Sequence, residues 1–147
     1  RYNLTKVDND KIIVFDLDEA LDLEGDTGPY VQYAVVRAAR IEEKAEAAGK
    51  EIMAVSLLTS PEEITLIKEL SKFPYIVQTA LNSLMPQKIA RYAHSLAMLF
   101  NDFYEKHRVI GAETEKLMIA RLRLVYCVRT VLQNSLNLLG VPAPDRM

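Results

Sequence analysis

Tyr33 and Arg37 stand four residues apart, a spacing that puts both side chains on one face of a helix, and Arg40 and Lys44 continue the stripe. An aromatic ring beside guanidinium groups is what an unpaired RNA base and its phosphate require. The ring offers a stacking surface, and the guanidinium offers donors to a base edge or a phosphate oxygen. The same spacing also describes a half-buried tyrosine beside ordinary surface charges, and taken alone it favours that plainer reading. A second cluster, Phe100-Asn101-Asp102-Phe103-Tyr104, closes another helical run. Phe100 and Phe103 follow the core stripe. Tyr104 falls at the run's end, where its ring can leave the core, and Asn101 carries an amide able to read a base edge. On periodicity Tyr104 is a boundary residue before it is a reader.

Other chemistry is poorly represented. His94 and His107 have no carboxylate or thiol at ligand spacing, which favours structural or surface histidines over a metal site. The single cysteine, Cys127, lies in the apolar run Leu124-Val125-Tyr126-Cys127-Val128, without a partner for a disulfide or a metal. It suits a buried thiol in a reducing compartment. Asp16, Asp18, Asp22 and Asp26 lack the glycine and glutamate placement of a calcium loop. No glycine-rich phosphate cradle and no serine–histidine–aspartate or cysteine–histidine set is present, so no catalytic centre is expected on this chain.

Composition narrows the class further. The chain has 147 residues, half of them hydrophobic, enough for one domain with a real core. A formal net charge of −2 argues against binding of nucleic acid by bulk attraction. The charge is uneven: residues 1–30 hold eight acidic and three basic side chains, and residues 84–147 hold five acidic and nine basic. That asymmetry fits a local phosphate footprint, and it fits solvated helix faces equally well. No apolar run reaches the ~20 residues a membrane span needs, and no signal-peptide pattern opens the chain. The abrupt start at Arg1-Tyr2-Asn3-Leu4 suits a domain cut from something longer.

The elements that carry these residues are predicted to be helical. Residues 1–28 read as a short strand around Ile12-Ile13-Val14-Phe15 and a loosely attached acidic connector. Pro29 suits a first-turn position and Gly49 a C-terminal cap, so a first helix is expected over Pro29–Ala48. Ser60-Pro61-Glu62-Glu63 carries a capping box and a preorganised proline, opening a second helix to about Lys72. Phe73-Pro74 is expected to break it, with a third helix from there to Ser83. A fourth runs from Met85 to Tyr104, with Ile89, Ala93, Leu96, Phe100 and Phe103 on one face. A fifth runs from Thr114 to Leu139, ended by Gly140, with Pro142 and Pro144 preventing its resumption. The expected fold is all-α, an antiparallel bundle of about five helices at 29–147 behind a 1–28 connector.

Three segments in order resemble the C-terminal, DALR-type anticodon-binding domain of arginyl-tRNA synthetases, within the class I aminoacyl-tRNA synthetase family. They are Gly28-Pro29-Tyr30-Val31-Gln32-Tyr33-Ala34 with Arg37, then Phe100-Asn101-Asp102-Phe103-Tyr104, then Leu138-Leu139-Gly140-Val141-Pro142-Ala143-Pro144-Asp145-Arg146-Met147. The resemblance implies a domain that grips the anticodon loop of tRNA(Arg) while a separate catalytic domain activates arginine with ATP. It places Tyr33, Arg37, Tyr104 and Met147 at the anticodon pocket, with Arg40, Asn101 and Arg146 as secondary contacts. ATP and Mg would belong to the catalytic domain, so no cofactor and no aminoacylation are expected of this chain alone. The partners implied are tRNA(Arg) and that catalytic domain, for a cytoplasmic monomer without membrane contact. The helical anticodon domain of the cysteinyl enzyme is the related alternative. A helical protein-interaction module without an RNA role is the alternative from another class, and it predicts an exposed apolar groove.

Overall fold

The computed structural model describes residues 1–8, 11–12, 16–22, 25–45 and 55–144. Among them the secondary structure is helical throughout. Two short helices, α1 (Tyr2–Thr5) and α2 (Leu17–Leu21), precede the long helix α3 (Gly28–Ala45). A 3₁₀ turn at Val55–Leu57 precedes α4 (Pro61–Ser83), α5 (Gln87–Lys106) and α6 (Glu115–Leu138). The expected strand lies largely on residues 13–15, and the Gly49 cap also lies outside the described residues.

The capping signals operate as the sequence predicts. Ser60 accepts from the Glu63 N–H while the Glu63 carboxylate accepts from the Ser60 N–H, which starts α4 with Pro61 in its first turn. Thr114 caps α6 through the Leu117 N–H. At the other end of α6 the Val141 N–H returns to Leu136 O and the Gly140 N–H to Asn137 O, a Schellman closure. Gly140 has φ +66°, a conformation that favours glycine, and a Cβ there would displace the Arg1 side chain, whose Nη1 lies 2.5 Å from that position.

One boundary differs. Phe73-Pro74 does not end a helix: Pro74 lies inside the continuous α4. Proline removes one intrahelical donor and crowds the preceding turn, but Leu66, Leu70, Phe73, Ile76 and Ala80 form one apolar stripe that passes through it. Those residues belong to or pack on the shared core. Tertiary burial outweighs the local preference, and the two expected helices are one.

α4 packs chiefly on α5 and α3 on α6, while contacts of α5 with α6 and α3 join the two pairs. The link Leu84-Met85-Pro86 is so short that α4 and α5 must run antiparallel. Val31, Ala34, Val35, Leu66, Ala93, Leu96, Phe100, Phe103, Val125, Val128, Leu132 and Leu136 are fully buried between them.

The expectation of a loosely attached N-terminal stretch is corrected at Tyr2. Its ring is 4% exposed, and its hydroxyl donates to Ala90 O at 3.0 Å and lies 2.9 Å from Asp26 Oδ1. Arg91 pairs with Asp8 at 2.8 Å. A buried tyrosine with its polar end satisfied fastens this segment to α5.

Candidate nucleic-acid interface

Position and spacing on α3 put Tyr33 and Arg37 side by side. The end of α5 brings Tyr104 to the same place. The Arg37 Cζ lies 4.8 Å from the Tyr33 ring centroid and 4.9 Å from that of Tyr104, within cation–π range of both. Arg37 Nη2 donates to the Tyr33 hydroxyl at 3.3 Å. That hydrogen bond, with the guanidinium charge behind it, holds the Tyr33 phenol below its ordinary pKa. The rings stay accessible, Tyr33 38% and Tyr104 42% exposed.

These three residues line a cleft of about 810 Å³ between the outer face of α3 and the segment running from Tyr104 to Ile110. Arg40 and Lys44 extend the α3 wall, Lys106, His107 and Arg108 form the opposite one, and Val36, Ile41 and Val109 supply apolar floor. The walls are aromatic and basic, with Glu105 the one acidic side chain among the described residues that line them. Flat rings and guanidinium donors beside an apolar floor can take an unstacked base and its phosphate.

Asn101 has protein partners at both ends of its amide. Its Oδ1 accepts from Arg37 Nη1 at 2.9 Å and its Nδ2 donates to the Tyr30 hydroxyl at 3.0 Å. The amide thus holds Arg37. Arg40 lines the cleft as expected. Arg146 and Met147 lie outside the described residues, but the tail leading to them is anchored. Arg1 Nη1 donates to Gly140 O at 3.0 Å and Gln32 Nε2 to Pro142 O at 2.6 Å. Neither anchor was foreseen, although Gln32 lies inside the Pro29–Tyr33 segment.

His107, isolated along the chain, is not isolated in space. Its Nε2 meets Glu62 Oε2 at 3.0 Å, its Nδ1 faces Arg121 Nη2 at 3.4 Å, and its ring stacks on Phe103. Lys106 pairs with Glu62 and Asp102. Below them Arg121 Nε donates to the buried Glu63 carboxylate at 2.7 Å. Burial pushes the Glu63 carboxyl pKa up, but Arg121 and the Ser60 cap outweigh it and leave it lowered. This network ties the start of α4 to the cleft wall. No group of histidine, cysteine and carboxylate side chains among the described residues could hold a metal ion.

Residues 31–147 match the family described as the DALR anticodon binding domain. The chain belongs to that family. Across its whole length it is 44% identical to an arginine–tRNA ligase of Methanosarcina barkeri and 46% identical to one of Pyrococcus abyssi, spanning 26% and 24% of those proteins. The DALR chain therefore accounts for about a quarter of the curated relatives it matches. Among solved structures, the arginyl-tRNA synthetase of Thermus thermophilus superposes with a TM-score of 0.88 at 36% identity, over 99% of this chain and 25% of that one. The Plasmodium falciparum arginyl-tRNA synthetase gives 0.82 at 26% identity, over 99% of this chain and 26% of that one. The all-helical bundle and the resemblance noted in the sequence both stand. No helix among the described residues is long and apolar enough to cross a membrane.

Proposed function

We propose that the cleft of Tyr33, Arg37 and Tyr104 binds the anticodon loop of tRNA(Arg), within a protein that attaches arginine to that tRNA. The observation that carries this reading is the placement of Arg37 between two exposed tyrosine rings over a basic cleft, in a domain of an anticodon-binding family. Bases unstacked from the loop would lie on the rings, Arg37 and Arg40 would meet base edges or phosphates, and Met147 and Arg146 would add further contacts to the loop. Arginine activation with ATP and Mg would be carried out by a catalytic domain of the same polypeptide, and this chain alone would bind without aminoacylating. A cytoplasmic monomer suits that role.

The test is binding of the chain to a tRNA(Arg) transcript and to one altered in the anticodon. Preferential binding of the first is expected, and deleting Met147 should lower the preference more than it lowers thermal stability. Equal binding of both transcripts would overturn anticodon reading.

A further inference from the structure

Arg37 has a third support besides the two rings. Its Nη1 donates to Asn101 Oδ1, and Asn101 Nδ2 donates in turn to the Tyr30 hydroxyl. Asn101 sits on α5, while Arg37 and Tyr30 sit on α3, so one amide spans two helices with a donor at one end and an acceptor at the other. Turned around, that amide would face its NH₂ group to the guanidinium, donor against donor. The guanidinium, a donor only, selects this orientation, and the Tyr30 hydroxyl, accepting from Nδ2, holds the far end of the amide in place.

Tyr30 is itself well anchored. It is partly buried against the core, its N–H meets Thr27 Oγ1 at 3.3 Å, and its ring tilts against His94 with centroids 5.2 Å apart. A long arginine side chain fixed before its ligand arrives loses less freedom on binding. We propose that Tyr30, acting through Asn101, is the positioning residue that sets the Arg37 guanidinium between Tyr33 and Tyr104. The inference rests on the anticodon reading for its ligand, but its geometry can be tested without RNA.

The experiment uses Tyr30→Phe in the 147-residue chain, which keeps the ring and removes the hydroxyl that holds Asn101. Arg37 holds the Tyr33 phenol down, so freeing Arg37 should let the Tyr33 titration, followed by NMR, move up toward its ordinary value. Asn101→Ala, which removes the linking amide, should give the same upward shift. Binding of the tRNA(Arg) transcript should weaken about three- to tenfold, the size of one hydrogen bond, with the thermal midpoint unchanged. Placed on Arg37→Ala, the Tyr30→Phe change should cost nothing further, because its effect runs through Arg37. An unmoved Tyr33 titration, or losses that simply add in the double variant, would overturn the proposal. If the parent chain binds no tRNA, the anticodon reading fails, and the Tyr33 titration decides the positioning role by itself.

Discussion

Tyr104 touches its own helix lightly, its ring 6.5 Å from that of Phe100 and partly open to solvent. Truncation should therefore leave the fold intact while removing one stacking surface. Tyr104→Ala is expected to weaken anticodon-loop binding by ~1–3 kcal/mol, measured by titration with the tRNA(Arg) transcript. Arg37→Ala should weaken it as well and reduce the slope of affinity against salt, if the guanidinium meets a phosphate. Glu62 offers a pH test on the opposite wall. Hydrogen bonds from His107 and then Lys106 hold its carboxyl at about 2, against an ordinary value of 4.5. A lowered folded-state pKa contributes stability that is fully present above 4.5 and fades as pH falls toward 2. Urea unfolding of the parent and Glu62→Gln should differ above pH 4.5 and converge near pH 2. Of the cleft residues, Tyr33, Arg37, Arg40 and Lys44 on one face of α3 follow from spacing. Tyr104 joins them because α3 and α5 are neighbours, which the order of residues does not state. The bond of Asn101 to Arg37 was not legible either, because an amide's donors and acceptors do not say which neighbours will take them.

The helices were readable where their ends are chemically marked. Ser60 with Glu63, Thr114, and Gly140 each name a boundary, and each boundary holds. Pro74 misled because a local breaker was weighed without the stripe that crosses it; Leu66, Leu70, Phe73, Ile76 and Ala80 keep their register on both sides. The proline is then a tolerated cost. Pro74→Ala should raise stability by about 2 kcal/mol, visible as a higher urea midpoint at unchanged slope. The junction of α4 with α6 makes the opposite case. Glu63 is buried and both caps α4 and accepts from Arg121. Arg121→Met strands that charge and should cost ~3–5 kcal/mol. Adding Glu63→Gln keeps the capping box and removes the stranded charge, so the double variant should melt above the single one.

The bundle is one folding unit because its core residues run from Tyr2 to Val141 without a gap between separate cores. The acidic N-terminal stretch looked like a connector since its composition differs from the rest, and composition cannot show a lone tyrosine reaching Ala90. The hydrogen bond from Arg1 to Gly140 has a consequence for how the chain could be rewired. Its first residue and the turn after its last helix already touch, so a short linker from the tail back to Arg1 would close the polypeptide into a ring at little entropic cost. New ends could then be opened at Gly111, which has φ +77° and nothing within 4 Å of a Cβ built there. Such a permutant should melt with the parent's cooperativity in circular dichroism. Its helices should persist while the join alters the chain beyond Pro144, so any loss of tRNA(Arg) binding in such a permutant would report on the tail and not on the bundle.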